Sequence, residues 1–302
     1  MIKIQILLSA YNGQEFLREQ IDSLLQQRNV SVSLLIRDDG SNDETAKILS
    51  EYDSLPNVKV IYGQNCGVIQ SFFDLLKASD ASFDFYAFCD QDDVWMPDKL
   101  KRASEILKKE NQLEPLLYTS VVEITNEKLR HISFSKIPPK GVSFFNAMIE
   151  NVSPGNTQVF NNCLRELLCK AVNTHQMAMH DHYAYMVAAA FGQVIFDDKS
   201  YIQYRQHAGN EIGMGKGLVK FLNEKASAVI SGRIKRISRQ LETFLDTYSL
   251  DLKQEYVIEA KRFLTAKNFF KRVHYVFHKR TFFQRSFPGF IFWILYIFGL
   301  IN

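Results

Sequence analysis

Short apolar runs alternate with helical patterns over roughly the first third of the chain, and this alternation restricts the possible folds more than any other feature. Each run leads into a segment in which apolar residues recur every three or four positions, as in an amphipathic helix. The runs that resemble buried strands are 3–9, Val32–Ile36, Val58–Tyr62 and Phe85–Cys89. This order predicts an α/β fold with a doubly wound, mostly parallel sheet.

Polar turns follow three of the predicted strands. They are Tyr11–Gly13, Asp38–Ser41 and Asp90–Asp93. Ligands of doubly wound sheets bind beyond the carboxyl ends of the strands, so we expect these turns to converge on one cleft. Ser41 or Asn42 is also predicted to cap the helix that follows the second turn.

The Asp90–Asp93 turn has the composition of a divalent-metal site. Its aspartates come directly after an apolar strand, where carboxylates repel one another unless a cation joins them. In an extended segment, Asp90 and Asp92 lie on the same side. Mg²⁺ and Mn²⁺ prefer oxygen ligands and can bridge the phosphates of a diphosphate leaving group. The alternative is structural, because aspartates also stabilise the starts of helices.

Three motifs, taken together, resemble the large family 2 glycosyltransferases, which have the GT-A fold. They are Ser9–Asn12, Arg37–Thr45 and the Asp-x-Asp motif Asp90–Asp92, and the resemblance covers about residues 3–210. The strings Cys89–Trp95 and Tyr204–Asn210 are similar to the bacterial rhamnosyltransferase branch. The resemblance implies a Rossmann-like GT-A domain with the activity of an inverting, metal-dependent glycosyltransferase.

The resemblance also implies roles for individual residues. The nucleotide-sugar donor would be bound by Ala10, Tyr11, Asp39 and Asp90. Asp39 would accept a hydrogen bond from the base, and Asp90 would approach the ribose. Asp92 would bind the divalent metal, Mn²⁺ or Mg²⁺. Its neighbour Asp93 could serve instead, and the sequence leaves this choice open.

Asp181 is the candidate catalytic residue. An inverting transfer needs a general base that removes the proton of the acceptor hydroxyl. Asp181 starts a predicted helix at the place where the resembled family has its catalytic aspartate; the alternative is a helix-capping aspartate. The flanking His180 and His182 are assigned no catalytic part. Pro154–Thr157 is expected to form part of the acceptor wall.

Arg205 and His207 are candidates for the far wall of the site. Arg205 could hold the diphosphate. His207 could be a further metal ligand or a phosphate donor. For both residues the alternative is an ordinary surface position. The glycines between 209 and 217 would let the following segment close over the bound donor.

The character of the chain changes near residue 215, which predicts a catalytic domain at 1–215 and a basic, amphipathic helical region at 216–302. The second region carries sixteen Lys and Arg against six Asp and Glu. Phe287–Ile301 is almost wholly apolar but shorter than the roughly 20 residues that span a bilayer. It predicts a membrane-associating end; the alternative is a helix packed on the protein's own core. The four cysteines form no metal-binding pattern and no signal peptide is visible, so we expect a cytoplasmic protein on the inner face of the cell membrane.

The resemblance favours transfer of L-rhamnose from dTDP-L-rhamnose to a glycan or polyprenyl-diphosphate-linked acceptor in cell-surface polysaccharide synthesis. Another donor, such as a UDP-hexose, remains open. A phosphohydrolase with an aspartate nucleophile is disfavoured, because the first strand ends in Ser9–Tyr11. A non-catalytic basic module for membranes or nucleic acid would explain 216–302 but not the converging carboxylates. No nucleic-acid partner is expected.

Overall fold

The computed structural model describes residues 1–207 and 235–300 and has a seven-stranded, mostly parallel sheet at its centre. The strands of the described residues, in chain order, are β1 (Ile2–Ala10), β2 (Val30–Asp38), β3 (Val58–Tyr62), β4 (Phe85–Cys89), β5 (Val94–Trp95), β6 (Leu116–Ser120), β7 (Glu123–Asn126), β8 (His131–Phe134), β9 (Val159–Asn161), β10 (Gln193–Asp197) and β11 (Ile202–Gln206). The large sheet has the order β10-β6-β9-β4-β1-β2-β3. Only β9 runs antiparallel to its two neighbours.

Helices cover both faces of this sheet. In the described residues they are α1 (Leu17–Leu25), α2 (Thr45–Tyr52), α3 (Val68–Ala78), α4 (Lys99–Leu107), α5 (Phe144–Ala147), α6 (Asn162–Cys169), α7 (His180–Phe191), α8 (Lys235–Tyr248), α9 (Gln254–Thr265), α10 (Phe269–His278) and α11 (Ser286–Ile297). Two short 3₁₀ turns lie at Gly155–Thr157 and Thr174–Gln176. The predicted α/β class with a largely parallel sheet is therefore confirmed.

The register of the central strands brings the predicted turns together. Leu8 of β1 pairs with Ile36 on one side and with Cys89 on the other. Ala10 pairs with Asp38. Because parallel strands end at the same edge, the segments that follow β1, β2 and β4 all leave the sheet at neighbouring points.

A smaller four-stranded sheet lies beside this edge, in the order β5-β11-β7-β8. Strand β5 follows the acidic turn directly and pairs antiparallel with β11, with Trp95 opposite Ile202. This pairing carries the chain at Arg205 alongside the acidic turn, although more than a hundred residues separate the two segments.

The two faces of the large sheet bury different apolar cores. Along β1, Ile6 and Leu8 contribute to the core beneath α1, α2 and α4, whereas Leu7 points to the opposite core. This is the period-two alternation of a strand buried on both faces. The second core contains α3, α5, α6 and α7 and also receives Phe244 of α8 and Phe263 of α9.

The C-terminal helices therefore pack on the same core as the catalytic-domain helices. The predicted boundary at 215/216 lies outside the described residues. Helix α11 is partly packed on the protein, since Phe292 and Tyr296 are buried, while Phe290 and Ile294 are exposed. Among residues 1–207 and 235–300, no helix combines the length and apolarity needed to cross a bilayer.

Candidate active site

A cavity of about 700 Å³ opens at the carboxyl edge of the large sheet. Five of the predicted site residues line it: Tyr11, Asp39, Asp90, Asp92 and Asp181. They come from the ends of β1, β2 and β4 and from the start of α7. The carboxylates that the sequence placed at separate turns thus share one cleft.

The first two turns are tied to each other by side chains. Ser41 Oγ accepts a hydrogen bond from the Asn12 amide at 2.9 Å, and Asn12 Oδ1 accepts one from the Asn42 amide at 2.9 Å. Helix α2 begins only at Thr45, with Glu44 before it. The expectation that Ser41 or Asn42 caps this helix is therefore wrong, because both residues lie in the turn after β2 and bond to Asn12 in the turn after β1.

Asp39 lines the cavity although it is almost fully buried. Its carboxylate accepts hydrogen bonds from the backbone amides of Cys66 at 3.0 Å and Gly67 at 2.9 Å, and it pairs with the guanidinium of Arg37. Burial alone would raise the pKa of Asp39, but the hydrogen bonds from Cys66 and Arg37 outweigh it and lower the pKa. Asp39 is therefore an ionised hydrogen-bond acceptor in the cleft.

The next part of the wall is built by Gln91, the middle residue of the Asp-x-Asp motif, which the sequence analysis did not single out. Its side-chain amide accepts from the backbone N–H of Tyr11 at 2.8 Å and donates to the backbone carbonyl of Tyr11 at 3.0 Å. A β-carbon on Gly13 would lie 2.3 Å from Gln91 Oε1, so this contact requires glycine there. The sequence shows a polar residue between two aspartates, but it does not show that this residue bonds to Tyr11 just after β1.

Ala10 does not take the predicted place in the nucleotide pocket. The residue is fully buried in the core beneath the sheet, and its carbonyl accepts a hydrogen bond from the Asp39 amide at 2.8 Å. Tyr11 is the residue of this pair that lines the cavity, with 44% of its surface exposed. Alternation along β1 explains the difference, because neighbouring side chains point to opposite faces.

Asp92 and Asp93 have different surroundings. Asp92 lines the cavity, whereas Asp93 is completely buried behind it. The Asp93 carboxylate accepts from Asn156 Nδ2 at 2.6 Å and from the Arg205 amide at 3.1 Å. Burial, together with the charges of Asp92 and Asp90, raises the pKa of Asp93 well above its usual range. This geometry favours Asp92 over Asp93 as a metal ligand.

His207 lies directly beside Asp92. Its Nε2 atom is 2.9 Å from Asp92 Oδ2, and its ring packs against that of Phe16. A carboxylate oxygen and an imidazole nitrogen side by side are a donor pair that suits a divalent cation. The part of the chain that the structure describes holds no group of three or more His, Cys, Asp or Glu side chains arranged for a metal ion.

Arg205 departs from its predicted role. Its side chain is almost fully buried and pairs with Glu19 at 2.5 Å. The guanidinium also donates to the carbonyl of Asp92 at 2.9 Å and lies over the ring of Phe16, 4.5 Å from its centroid. Arg205 is not among the described residues that line the cavity. The guanidinium therefore supports the backbone of the acidic turn from behind and does not face the cleft.

Asp181 also lines the cavity, at the start of α7. Its Oδ2 accepts from the Gly155 amide at 2.9 Å and its Oδ1 from the His182 amide at 2.6 Å. Helix α7 begins at His180 after Met179, so Asp181 is not its capping residue. Burial raises the pKa of Asp181 to about 6.

The predicted acceptor wall lies next to Asp181. Pro154, Gly155 and Asn156 all line the cavity, and the 3₁₀ turn at Gly155–Thr157 supplies the amide that binds the Asp181 carboxylate. His180, which the sequence analysis set aside, lines the cavity as well. The sequence could not predict that the His180 side chain faces the cavity, because the direction of this side chain depends on where α7 begins.

The sequence comparisons agree with this architecture. The profile of glycosyl transferase family 2 matches residues 5–160. A dTDP-rhamnosyl transferase, RfbG of Shigella flexneri, is 30% identical over 217 residues, which cover 68% of this chain and 73% of that protein. An uncharacterized glycosyltransferase of Rickettsia typhi is 22% identical over 246 residues, or 78% of this chain and 73% of that protein. The chain therefore belongs to glycosyl transferase family 2.

Solved structures share the fold. The crystal structure of S. aureus TarS 1–349 in complex with UDP-GlcNAc has a TM-score of 0.60 at 18% identity and covers 100% of this chain and 82% of that chain. The mannosyltransferase PcManGT of Pyrobaculum calidifontis, in complex with GDP-Man and Mn²⁺, has a TM-score of 0.56 at 14% identity, with coverage of 87% and 70%. The chain has the GT-A fold, extended by C-terminal helices.

Proposed function

We propose that the protein is an inverting, metal-dependent glycosyltransferase that moves L-rhamnose from dTDP-L-rhamnose to a glycan or lipid-linked glycan acceptor. One observation carries the proposal: Asp39, Asp90, Asp92 and Asp181 line the same cavity. An ionised acceptor, a metal-compatible pair and a carboxyl with a raised pKa form the parts of a sugar-transfer site. A non-catalytic basic module would not explain why these carboxylates share one cavity.

The nucleotide would bind beside Asp39. The ionised Asp39 carboxylate, which shares the cavity with Tyr11, suits the N–H of a pyrimidine base. Asp90 also lines the cavity and would approach the ribose. A divalent cation, Mn²⁺ or Mg²⁺, held by Asp92 and His207 would stabilise the charge of the departing diphosphate. Asp93 and Arg205 would position this turn from behind.

Asp181 would act as the general base of the transfer step. As the acceptor oxygen attacks the anomeric carbon from the side opposite the diphosphate, its proton passes to the Asp181 carboxylate. The bond between the anomeric carbon and the phosphate oxygen breaks in the same step, which inverts the configuration. A base with a pKa of about 6 is mostly ionised at neutral pH and can accept this proton. Hydrogen bonds from Gly155 and His182 fix the carboxylate for the reaction.

The donor is the part of the proposal that rests on a relative. The Shigella flexneri relative bears the name of a dTDP-rhamnosyl transferase, whereas the structural neighbours were solved with UDP-GlcNAc or GDP-Man. A donor panel with a common acceptor extract tests it. We expect a kcat/KM at least about tenfold higher with dTDP-L-rhamnose than with UDP-GlcNAc or GDP-Man. A clear preference for a UDP-hexose would keep the mechanism and replace the donor; no nucleotide effect on turnover or on thermal unfolding would favour the basic binding module.

We further propose that the C-terminal helices hold the protein at an anionic membrane surface, where a polyprenyl-diphosphate-linked acceptor is found. Phe270 and Phe277 lie seven positions apart on α10, so they share a face, and each is 81% exposed. Phe290 and Phe298 add further exposed apolar surface. Basic residues accompany this surface, namely Lys261, Arg262, Lys267, Lys271, Arg272, Lys279, Arg280 and Arg285. Exposed aromatics together with basic side chains favour an anionic lipid interface.

Phe270→Ser together with Phe277→Ser is expected to weaken binding to phosphatidylglycerol-containing vesicles by roughly 10- to 100-fold, because each exposed ring would lose its burial in the lipid. Sedimentation with vesicles measures this partitioning. Leu113→Ser is the control, since Leu113 is 87% exposed but lies outside the C-terminal helices. Unchanged sedimentation of the double variant would contradict the proposed surface.

A further inference from the structure

His180 is a buried polar residue whose ring nitrogens lack a hydrogen-bond partner among the described residues. It is only 4% exposed, yet its side chain lines the active-site cavity. Within the described residues, neither Nδ1 nor Nε2 of its ring has a hydrogen-bond partner. Buried polar groups are nearly always satisfied, and leaving one unsatisfied is costly. This cost indicates that the imidazole serves something other than the packing of the apo protein.

Aromatic neighbours hold the His180 ring in one orientation. The ring stacks on Phe72, with centroids 3.7 Å apart and an interplanar angle of 19°. Phe88 meets it edge-on, with centroids 5.0 Å apart. Phe72 covers one face of the imidazole, and within the described residues both ring nitrogens remain without a hydrogen bond. A ring clamped in this way is preorganised for binding.

The imidazole and the proposed base flank the same point of the backbone. A β-carbon on Gly155 would lie 3.1 Å from His180 Nε2 and 3.6 Å from Asp181 Oδ2. Both atoms therefore border the same small region of the cavity. Gly155 leaves this region open, because a side chain there would press on both residues. A molecule bound against Asp181 comes within reach of His180.

Burial also sets the charge of the imidazole. It lowers the pKa of His180 to about 3, so the ring is neutral at neutral pH. A neutral imidazole offers one donor and one acceptor, which is the pattern of a hydroxyl group. It has no positive charge with which to hold a phosphate. The surroundings of His180 thus select a neutral polar group.

We propose that His180 is a substrate-binding residue that holds a sugar hydroxyl beside Asp181 and so positions the reacting sugars. The inference rests on the proposed function and extends it from the nucleotide and the metal to the recognition of the sugar itself. The hydroxyl belongs either to the transferred sugar or to the acceptor, and the experiment distinguishes these sources. A purely structural role predicts instead that a phenylalanine would fill the same aromatic stack without loss of activity.

The test compares His180→Phe and His180→Gln with the wild type. The phenylalanine keeps the stacking on Phe72 and removes both hydrogen-bonding atoms, whereas glutamine retains a donor and an acceptor. We expect His180→Phe to lower kcat/KM for transfer by about 10- to 100-fold with little change in the unfolding temperature. His180→Gln should restore part of the loss.

Donor hydrolysis in the absence of acceptor identifies the hydroxyl. An equal loss in hydrolysis and transfer assigns it to the transferred sugar, and a loss in transfer alone assigns it to the acceptor. Monodeoxy donors and acceptors give a second measurement. If His180 had only a structural role, the ratio of rates with the deoxy and the parent substrates would be the same in the wild type and in His180→Phe. The analogue that lacks the bound hydroxyl should be a poor substrate for the wild type but no worse than the parent substrate for His180→Phe.

His182→Gln is the matched control. His182 is equally buried and also adjoins Asp181, but its Nε2 bonds to the carbonyl of Ala147 at 2.7 Å, and it is not among the described residues that line the cavity. We expect this variant to lose stability and to keep the wild-type discrimination between deoxy analogues. If His180→Phe fails to fold, His180→Met replaces it as an apolar variant of similar length.

The outcomes distinguish a failure of the proposed function from a failure of the role of His180. A wild-type protein with no turnover of any nucleotide sugar refutes the proposed function. An active wild type whose folded His180→Phe or His180→Met variant keeps full transfer and the same deoxy discrimination refutes only the role of His180.

Discussion

Asp181→Asn is expected to lower kcat for sugar transfer by roughly 100- to 10,000-fold, because the amide cannot accept the proton of the acceptor hydroxyl. Donor affinity should stay near the wild-type value, since the proposed contacts to the nucleotide and the metal come from Asp39, Asp90 and Asp92. The two quantities are measured by turnover at saturating donor and by calorimetric titration with the donor nucleotide. A variant with near-normal turnover would exclude Asp181 as the base.

The pH dependence gives an independent measure of the same group. Only the ionised carboxylate can act as base, and burial raises the pKa of Asp181 to about 6. The rate should therefore fall as the pH drops through about 6 and level off above it, with no second inflection from the neutral His180. Asp197→Asn is a control, because Asp197 is also buried but pairs with Arg102 and Tyr118 outside the cavity. That variant should lower stability and leave the position of the inflection unchanged.

Asp92→Asn is expected to reduce metal-dependent turnover by at least about 100-fold, because the cation would lose a charged ligand next to the departing diphosphate. Removal of metal from the wild type with EDTA should give a similar loss, and Mn²⁺ should restore activity to the wild type at concentrations that leave the variant inactive. Mn²⁺ titrations of turnover and of donor binding measure the effect. Full activity of the wild type in EDTA would contradict a metal-dependent mechanism.

Asp93→Asn separates the two neighbouring aspartates. The Asp93 carboxylate is buried between Asn156 and the Arg205 amide, so its replacement should alter stability and leave the Mn²⁺ dependence in place. If the Mn²⁺ dependence instead disappears in Asp93→Asn and persists in Asp92→Asn, the assignment of the metal ligand must be reversed.

Much of the site could be predicted because it depends on local order along the chain. Apolar strand runs, the turns after them and the parallel register together bring Asp39 and Asp90 to one edge of the sheet. The position of Asp181 at the start of a helix was also visible in the pattern. These features need only secondary structure and the rule that ligands bind beyond the carboxyl ends of parallel strands.

Other features depend on contacts between distant segments and could not be predicted. The pairing of β5 with β11 turns the Arg205 guanidinium toward Glu19, away from the cavity. The same pairing supplies the Arg205 amide that binds Asp93. The sequence could not separate Asp92 from Asp93, because the distinction depends on which of them meets buried donors. Ala10 and Tyr11 show the same problem on a smaller scale, since the face each occupies follows from the exact end of β1.

The attachment of the C-terminal helices has a consequence for truncated forms of the protein. Gln240 of α8 accepts hydrogen bonds through one oxygen from the amides of Ala178 and Met179, at 3.0 and 3.3 Å. These two residues form the segment that enters α7 and presents His180 and Asp181. A protein shortened before residue 235 would lose this tether and the aromatic surface against which Tyr183 packs. Deletion of the C-terminal helices is therefore expected to disturb the segment that presents Asp181. A loss of activity in such a truncated protein would not by itself measure the effect of membrane binding.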